Sequence, residues 1–196
     1  IQVDTFSPTV GLPNDGSAED LDYQGPSDTL AIYWTGDDTR QIAYYQYSVG
    51  TIAGDTNVVP WTGNETATSV VISDFVLTHE TVYYANVRAF DMAGNVSSVE
   101  SSDGITADLS APTVGWVKDG LGDDETFTAS TTTLAANWDS FADSTSGIQY
   151  YEYAVGTTAG ESDVSNGWVS VGTTTSFSAT FTLSEAVVYY VSIRAT

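Results

Sequence analysis

Carboxylates gathered in short, glycine-punctuated stretches are the residues of this sequence best suited to chemistry. Asn14-Asp15-Gly16-Ser17-Ala18-Glu19-Asp20-Leu21-Asp22 has a counterpart in Lys118-Asp119-Gly120-Leu121-Gly122-Asp123-Asp124-Glu125. Hard cations are held by several carboxylate, amide and carbonyl oxygens from short loops. Asp15, Asp20 and Asp22, with Asp119, Asp123 and Asp124, are therefore candidate calcium ligands. Asp91 and Asn95, in Asp91-Met92-Ala93-Gly94-Asn95, form a second group, with Asp108 as an acid that the chain would bring towards them and Asp4 as its equivalent one repeat earlier. Neither group has the spacing or the closing Glu of an EF-hand loop. The same residues also serve as caps for turn backbone, and the sequence leaves both readings open. Calcium is the one cofactor expected.

Other chemistry is poorly provided for. His79 is the only histidine, so a Ser/His/Asp arrangement would depend on it, and it falls in a turn that carries Glu185 or its neighbour in the second half of the chain. There is no Gly-rich phosphate loop with Lys and no His-Glu-x-x-His pair. Pairs of carboxylates suit glycoside hydrolysis, but in so acidic a chain no pattern selects one pair. The expectation is no catalytic centre. Flat aromatic rings stack on sugars, which makes Trp61, Trp168, Tyr44 and Tyr150 candidate carbohydrate contacts, with Tyr84, Tyr190 and Trp116 as further rings. Packing at a sheet edge or domain junction is the competing role. Asn64-Glu65-Thr66 and Asn95-Val96-Ser97 fit the glycosylation acceptor pattern, which is frequent by chance.

Charge narrows the partners. Four Lys plus Arg stand against 26 Asp plus Glu, a formal charge of -22 spread along the chain. Nucleic acid and anionic membrane are both repelled by such a field, since binding them requires Lys and Arg. No run approaches the roughly 18 consecutive apolar residues of a membrane span, so membrane insertion is not expected. Cysteine is absent, which rules out disulfides and thiolate metal sites and leaves stability to core packing. With 41% hydrophobic and 12% aromatic residues, there is enough apolar material for that core despite the charge.

The elements that would position these residues come from an internal repeat. Pro8-Thr9-Val10-Gly11 returns as Pro112-Thr113-Val114-Gly115, and Tyr44-Tyr45-Gln46-Tyr47-Ser48-Val49-Gly50-Thr51 as Tyr150-Tyr151-Glu152-Tyr153-Ala154-Val155-Gly156-Thr157. Each copy reads as strands, because apolar residues alternate: Leu30, Ile32 and Trp34; Tyr45, Tyr47 and Val49; Tyr83, Ala85, Val87 and Ala89. The second copy repeats them as Leu134, Ala136 and Trp138; Tyr151, Tyr153 and Val155; Tyr189, Val191, Ile193 and Ala195. Tyr84, Asn86 and Arg88, and likewise Tyr190, Ser192 and Arg194, are expected to face water or a partner. The chain opens at the equivalent of Ile105 and closes at the equivalent of Phe90, so it is expected to be a window on a longer array, cut out of phase with its repeats.

Leu77 with Tyr83, Ala85, Val87 and Ala89, and Leu183 with Tyr189, Val191, Ile193 and Ala195, resemble the E-to-F corner and F strand of the fibronectin type III fold. Trp34 and Trp138, and the spacing Ile42, Tyr45, Tyr47 (Ile148, Tyr151, Tyr153), resemble its B and C strands. The resemblance implies an all-β chain of two tandem sandwiches: 1–7 the final strand and linker of a preceding repeat, 8–107 a full repeat, 108–111 a linker, and 112–196 a repeat lacking its last strand. It also implies a tyrosine corner, the hydroxyls of Tyr83 and Tyr189 tied to nearby backbone. Where that family has Pro-Gly or Asn-Gly before the corner, this chain has Thr78-His79-Glu80 and Ser184-Glu185-Ala186. The wider pattern, Tyr-x-Tyr-x-Val-Gly-Thr-x-Ala-Gly followed by Trp, is similar to repeats of large secreted or surface proteins of bacteria. That similarity implies an extracellular, cell-surface stalk or adhesin spacer whose partners are neighbouring repeats of the same or an identical chain and a glycan or host-surface ligand; the acidic groups above add the expectation that calcium stiffens its joints. The missing strand would come from a continuing array or be donated between chains to build a filament. The rival reading is a carbohydrate-binding or accessory domain of a secreted polysaccharide-degrading enzyme.

Overall fold

The computed structural model describes residues 3–16 and 19–196, and the chain divides into two compact units, 1–109 and 110–196. The first unit contains β1 (Thr9–Val10), β2 (Asn14–Asp15), β3 (Tyr23–Gln24), β4 (Thr29–Tyr33), β5 (Gly36–Asp37), β6 (Ile42–Gly50), β7 (Val59–Gly63), β8 (Ser69–Ser73), β9 (Val82–Asp91), β10 (Glu100–Ser101) and β11 (Ile105–Ala107). The second contains β12 (Trp116–Asp119), β13 (Thr133–Asp139), β14 (Tyr151–Gly156), β15 (Val169–Gly172), β16 (Ser176–Thr180) and β17 (Tyr190–Ala195). No helix occurs among the described residues.

In the first unit one sheet has the order β2-β4-β8 and the other β3-β11-β9-β6-β7, with β10 also on β9. Alternation along each strand sends every second side chain inward. Leu30, Ile32 and Trp34 of one sheet thus meet Tyr45, Val49, Tyr83, Ala85, Val87 and Ile105 of the other in a single buried core. The order is A-B-E against C′-C-F-G, the fibronectin type III arrangement. The second unit repeats it as β12-β13-β16 against β15-β14-β17, around Ala136, Trp138, Tyr151, Tyr153, Val155 and Phe177. Both chains of contacts centre on the same aromatic pair: Trp34 meets Tyr45 edge-on at 5.8 Å between centroids, and Trp138 meets Tyr151 at 5.7 Å.

The first strand of unit 1 changes sheets. Its opening part, β2, pairs antiparallel with β4, Asp15 opposite Ile32, whereas its second part, β3, runs parallel to β11, Tyr23 opposite Thr106. The segment between carries the acidic stretch. Residues 3–7, which the repeat phase assigns to the end of a preceding domain, form no strand. Asp4 instead reaches the Arg40 guanidinium at 3.1 Å.

Both tyrosine corners are formed. The Tyr83 hydroxyl accepts the Thr78 N–H at 2.9 Å and the Tyr189 hydroxyl accepts the Ser184 N–H at 2.8 Å. The turn survives without its usual Gly or Asn because Glu80 and Ala186 take the left-handed conformation, φ 59° and 60°. Glycine is required elsewhere: a Cβ at Gly50 would lie 2.6 Å from the Asp55 carbonyl oxygen, and one at Gly156 would lie 2.5 Å from that of Glu161. This close approach explains why Val-Gly-Thr recurs in both copies.

One expectation needs correction. Asn86 does not face water: it is fully buried, because the loop after β6 folds over it. In the second unit the inward residues Val191, Ile193 and Ala195 are only half-buried. Among the described residues β17 pairs with β14 alone, whereas its counterpart β9 is flanked on its other side by β10 and β11.

Tyr83→Phe is expected to strand the Thr78 N–H and destabilise unit 1 by about 1–3 kcal/mol, read as a lowered calorimetric Tm. Glu80→Gly is expected to act the other way, by less than about 1 kcal/mol, since it relieves the left-handed strain at a cost in unfolded-chain entropy.

Candidate functional site

The sheet-crossing segment of unit 1 gathers three acids. Gly16 takes φ 126° and donates its N–H to the Ala31 carbonyl at 2.8 Å, Leu21 N–H returns to the Asp15 carbonyl at 2.7 Å, and Asp15 N–H donates to an Asp20 carboxylate oxygen at 3.0 Å. The turn between β10 and β11 adds Asp103, so that one oxygen each of Asp15, Asp20 and Asp103 lie within 4.8 Å of one another. Asp20 and Asp103 are exposed, but Asp15 is fully buried, and among the described residues neither of its carboxylate oxygens has a hydrogen-bond partner. Burial, together with the Asp20 and Asp103 charges, pushes the Asp15 carboxyl up to about 7. Ser102 and the Gly104 backbone draw it down, acting from outside hydrogen-bond geometry. Asp22, also expected here, is exposed and takes part through its backbone, its carbonyl accepting the Thr106 N–H at 2.9 Å.

The second unit builds the same local device with a different outcome. Asp119 N–H donates to Asp124 Oδ1 at 3.0 Å and Glu125 N–H to the Asp119 carbonyl at 3.0 Å. Partial burial raises the Asp119 pKa, and Asp124 and Glu125 add to the rise. Asp119 nevertheless remains exposed, as does Asp123.

Asp91 and Asn95 meet Asp4 rather than Asp108. Oxygens of Asp4, Asp38 and Asp91 lie within 4.8 Å of one another, and Asn95 Nδ2 donates to Asp91 Oδ2 at 2.7 Å and to the Asp4 carbonyl at 3.4 Å. This cluster is already provided for. Arg40 pairs with Asp4, and Asp38 Oδ2 accepts the N–H groups of Arg40 and Gln41 at 3.0 and 2.8 Å, although its other oxygen is buried without a partner. Burial would raise the Asp91 carboxyl, yet the Asn95 side chain and the N–H groups of Asn95, Gly94 and Ala93 outweigh it and hold the pKa below the ordinary carboxylate value. Asp108 follows β11 near the start of β9, the opposite end from Asp91, and stands with His79, whose Nδ1 accepts the Leu109 N–H at 3.1 Å and lies 3.6 Å from Asp108 Oδ1.

The aromatic candidates are engaged by the chain's few cations. The Arg88 guanidinium lies 4.2 Å from the Trp61 ring centroid and 5.3 Å from that of Phe90, and its Nε and Nη2 donate to Gln46 Oε1 at 2.9 and 2.6 Å. Tyr44 stacks on Phe90, centroids 4.5 Å apart. In the second unit Arg194 lies 4.4 Å from the Trp168 centroid and pairs with Glu152 at 2.6 Å, while Lys118 covers Trp116 at 4.8 Å. One face of each of these indoles is therefore taken up by a cation. Tyr150 is half-buried beside β14, its carbonyl accepting the Thr196 N–H at 3.0 Å.

Asn86 and Asp103 are the residues that sequence reasoning passed over. Asn86 pins the loop after β6: its Oδ1 accepts the Gly54 N–H at 2.7 Å and the Ser101 hydroxyl at 2.7 Å, and its Nδ2 donates to the Asp55 carbonyl at 2.8 Å. Ser192 does a smaller version of this, accepting the Gly160 N–H at 3.0 Å. The available signal was the recurring Thr-x-Ala-Gly, whose left-handed Gly54 and Gly160 need a nearby acceptor for an exposed amide.

No family model matches the chain. Over 137 residues it is 35% identical to Exoglucanase B of Cellulomonas fimi, a match that covers 66% of this chain and 11% of that protein's length. Among solved structures, the chicken CNTN1 FN1–FN3 domains align over 100% of this chain and 64% of that one, at 17% identity and a TM-score of 0.49.

Because the native Asp15 carboxyl titrates above the ordinary carboxylate value of 3.8, the folded state binds the extra proton in between. Stability without divalent cations is thus expected to fall as pH rises from about 4 to 7. Calorimetry across that range in chelator checks this, and Asp15→Asn should reduce the fall and melt higher at neutral pH. Asn86→Ala is expected to speed hydrogen exchange at the Gly54 amide and to cost unit 1 about 1–3 kcal/mol.

Proposed function

We propose that this chain is a non-catalytic repeat segment of a longer extracellular protein, and that its work is to space and hold the parts on either side of it. What carries the reading is the use to which the two units put their own chemistry. Each of the four Lys and Arg side chains is spent within the fold, three over an indole ring and one on Asp4. The sole histidine ties down a backbone amide. The charge that remains outward is acidic, and a formal charge of -22 keeps such modules soluble and apart from one another. Two like sandwiches in succession fit a module whose neighbours are further modules, in a bacterial surface stalk or adhesin.

The similarity to Exoglucanase B favours a second setting for the same role, as an accessory segment of a polysaccharide-degrading enzyme. Spacing is common to the two settings. They diverge over direct carbohydrate binding.

Retention on insoluble cellulose and on a glycan array tests this. No saturable retention is expected, and Trp61→Ala should do no more than release Arg88, at about 0.5–1 kcal/mol of stability. Saturable binding that disappears in Trp61→Ala would replace the spacer with a carbohydrate-recognition module.

A further inference from the structure

We infer that Asp15, Asp20 and Asp103 form a site for a hard divalent cation, calcium by its ligand chemistry, which fastens the sheet-crossing first strand of unit 1 to the turn before β11. Three carboxylates, two from one loop and the third from a segment distant in sequence, place an oxygen each within 4.8 Å of the others. Left alone they repel. A second, independent observation is that Asp15 is fully buried and that neither of its oxygens is hydrogen-bonded among the described residues. Buried polar groups in folded proteins are almost always paired, and an ionised carboxylate without a partner is far costlier than a neutral group. No side chain supplies the missing charge, since the two cations of this unit are held elsewhere, Arg40 by Asp4 and Arg88 between Trp61 and Phe90. A bound cation would supply it.

The donors are all oxygen, which suits calcium or magnesium over transition metals. Calcium is favoured because one buried and two exposed carboxylates make an irregular set to be completed by water, where magnesium demands near-octahedral geometry. The two other acidic groups lack the combination. In the cluster of Asp4, Asp38 and Asp91, Arg40 and Asn95 already answer the charge, and in the second unit Asp119 stays in contact with solvent.

The site is tested by titrating the whole chain, stripped with chelator, with calcium chloride in a calorimeter and following Tm. One saturable event is expected in the micromolar to millimolar range usual for such modules, with a rise in Tm as mass action requires. Asp103→Asn, on an exposed turn where folding is not at stake, should weaken that event about tenfold or more, as should Asp15→Asn, while Asp38→Asn leaves it unchanged. Magnesium chloride should bind more weakly. The inference is overturned by no calcium-dependent heat or Tm shift in the unaltered chain, by Asp103→Asn binding as the unaltered chain does, or by loss of the event in Asp38→Asn.

Discussion

The pairing of the C strand with the F strand is the constraint from which the rest of each unit follows. In unit 1, β6 and β9 run antiparallel from Ile42 opposite Asp91 to Gly50 opposite Tyr84. In unit 2, β14 and β17 pair from Tyr151 opposite Ala195 to Gly156 opposite Tyr190. A shift of one residue along the β6–β9 ladder would turn Tyr45, Tyr47 and Val49 out of the core and bring Tyr44 and Gln46 in. The tyrosine corner fixes where the F strand begins, and the close approach at Gly50 fixes where the C strand ends. With both ends set, the Trp of the facing sheet has one place to pack.

The outer faces are a consequence of the same register. Because Gln46 stands opposite Arg88, and Glu152 opposite Arg194, each guanidinium is held over the Trp that follows the C strand. The two units solve this with a neutral acceptor in one case and a carboxylate in the other. They differ more where the closing strand lies: β10 and β11 bring Ser101 to Asn86 and Asp103 to Asp15. The buried Asn86 network and the three-acid cluster both arise from that strand, and their nearest equivalents in unit 2, Ser192 and Asp119, are less enclosed.

Much of this was legible in the sequence. Strict alternation at Leu30, Ile32 and Trp34, and at Tyr83, Ala85, Val87 and Ala89, identifies strand and inward face together, since a period of two has no helical reading. The repeat then doubles each inference. Alternation fails at Asn86, because it reports which face of the sheet a residue lies on and not whether a loop covers that face. It fails at Asp103 for a related reason: the residue lies far along the chain from the Asp15 stretch, and only the parallel pairing of β3 with β11 brings the two segments together. Asp22 and Asp123 stand in the right stretches but on the exposed side of their turns, a matter of backbone direction that composition does not encode. The Trp61 and Trp168 rings were visible as aromatics, whereas the guanidinium on each depended on cross-strand register.

Native-state hydrogen exchange bears most directly on the claim that each unit is held by its own C–F ladder. The slowest amides of unit 1 are expected along β6 and β9 and those of unit 2 along β14 and β17, two separately protected sets with the tyrosine-corner amides among the slower turns. Exchange fastest along those strands, or a second unit that exchanges throughout like an unfolded chain, would contradict the account.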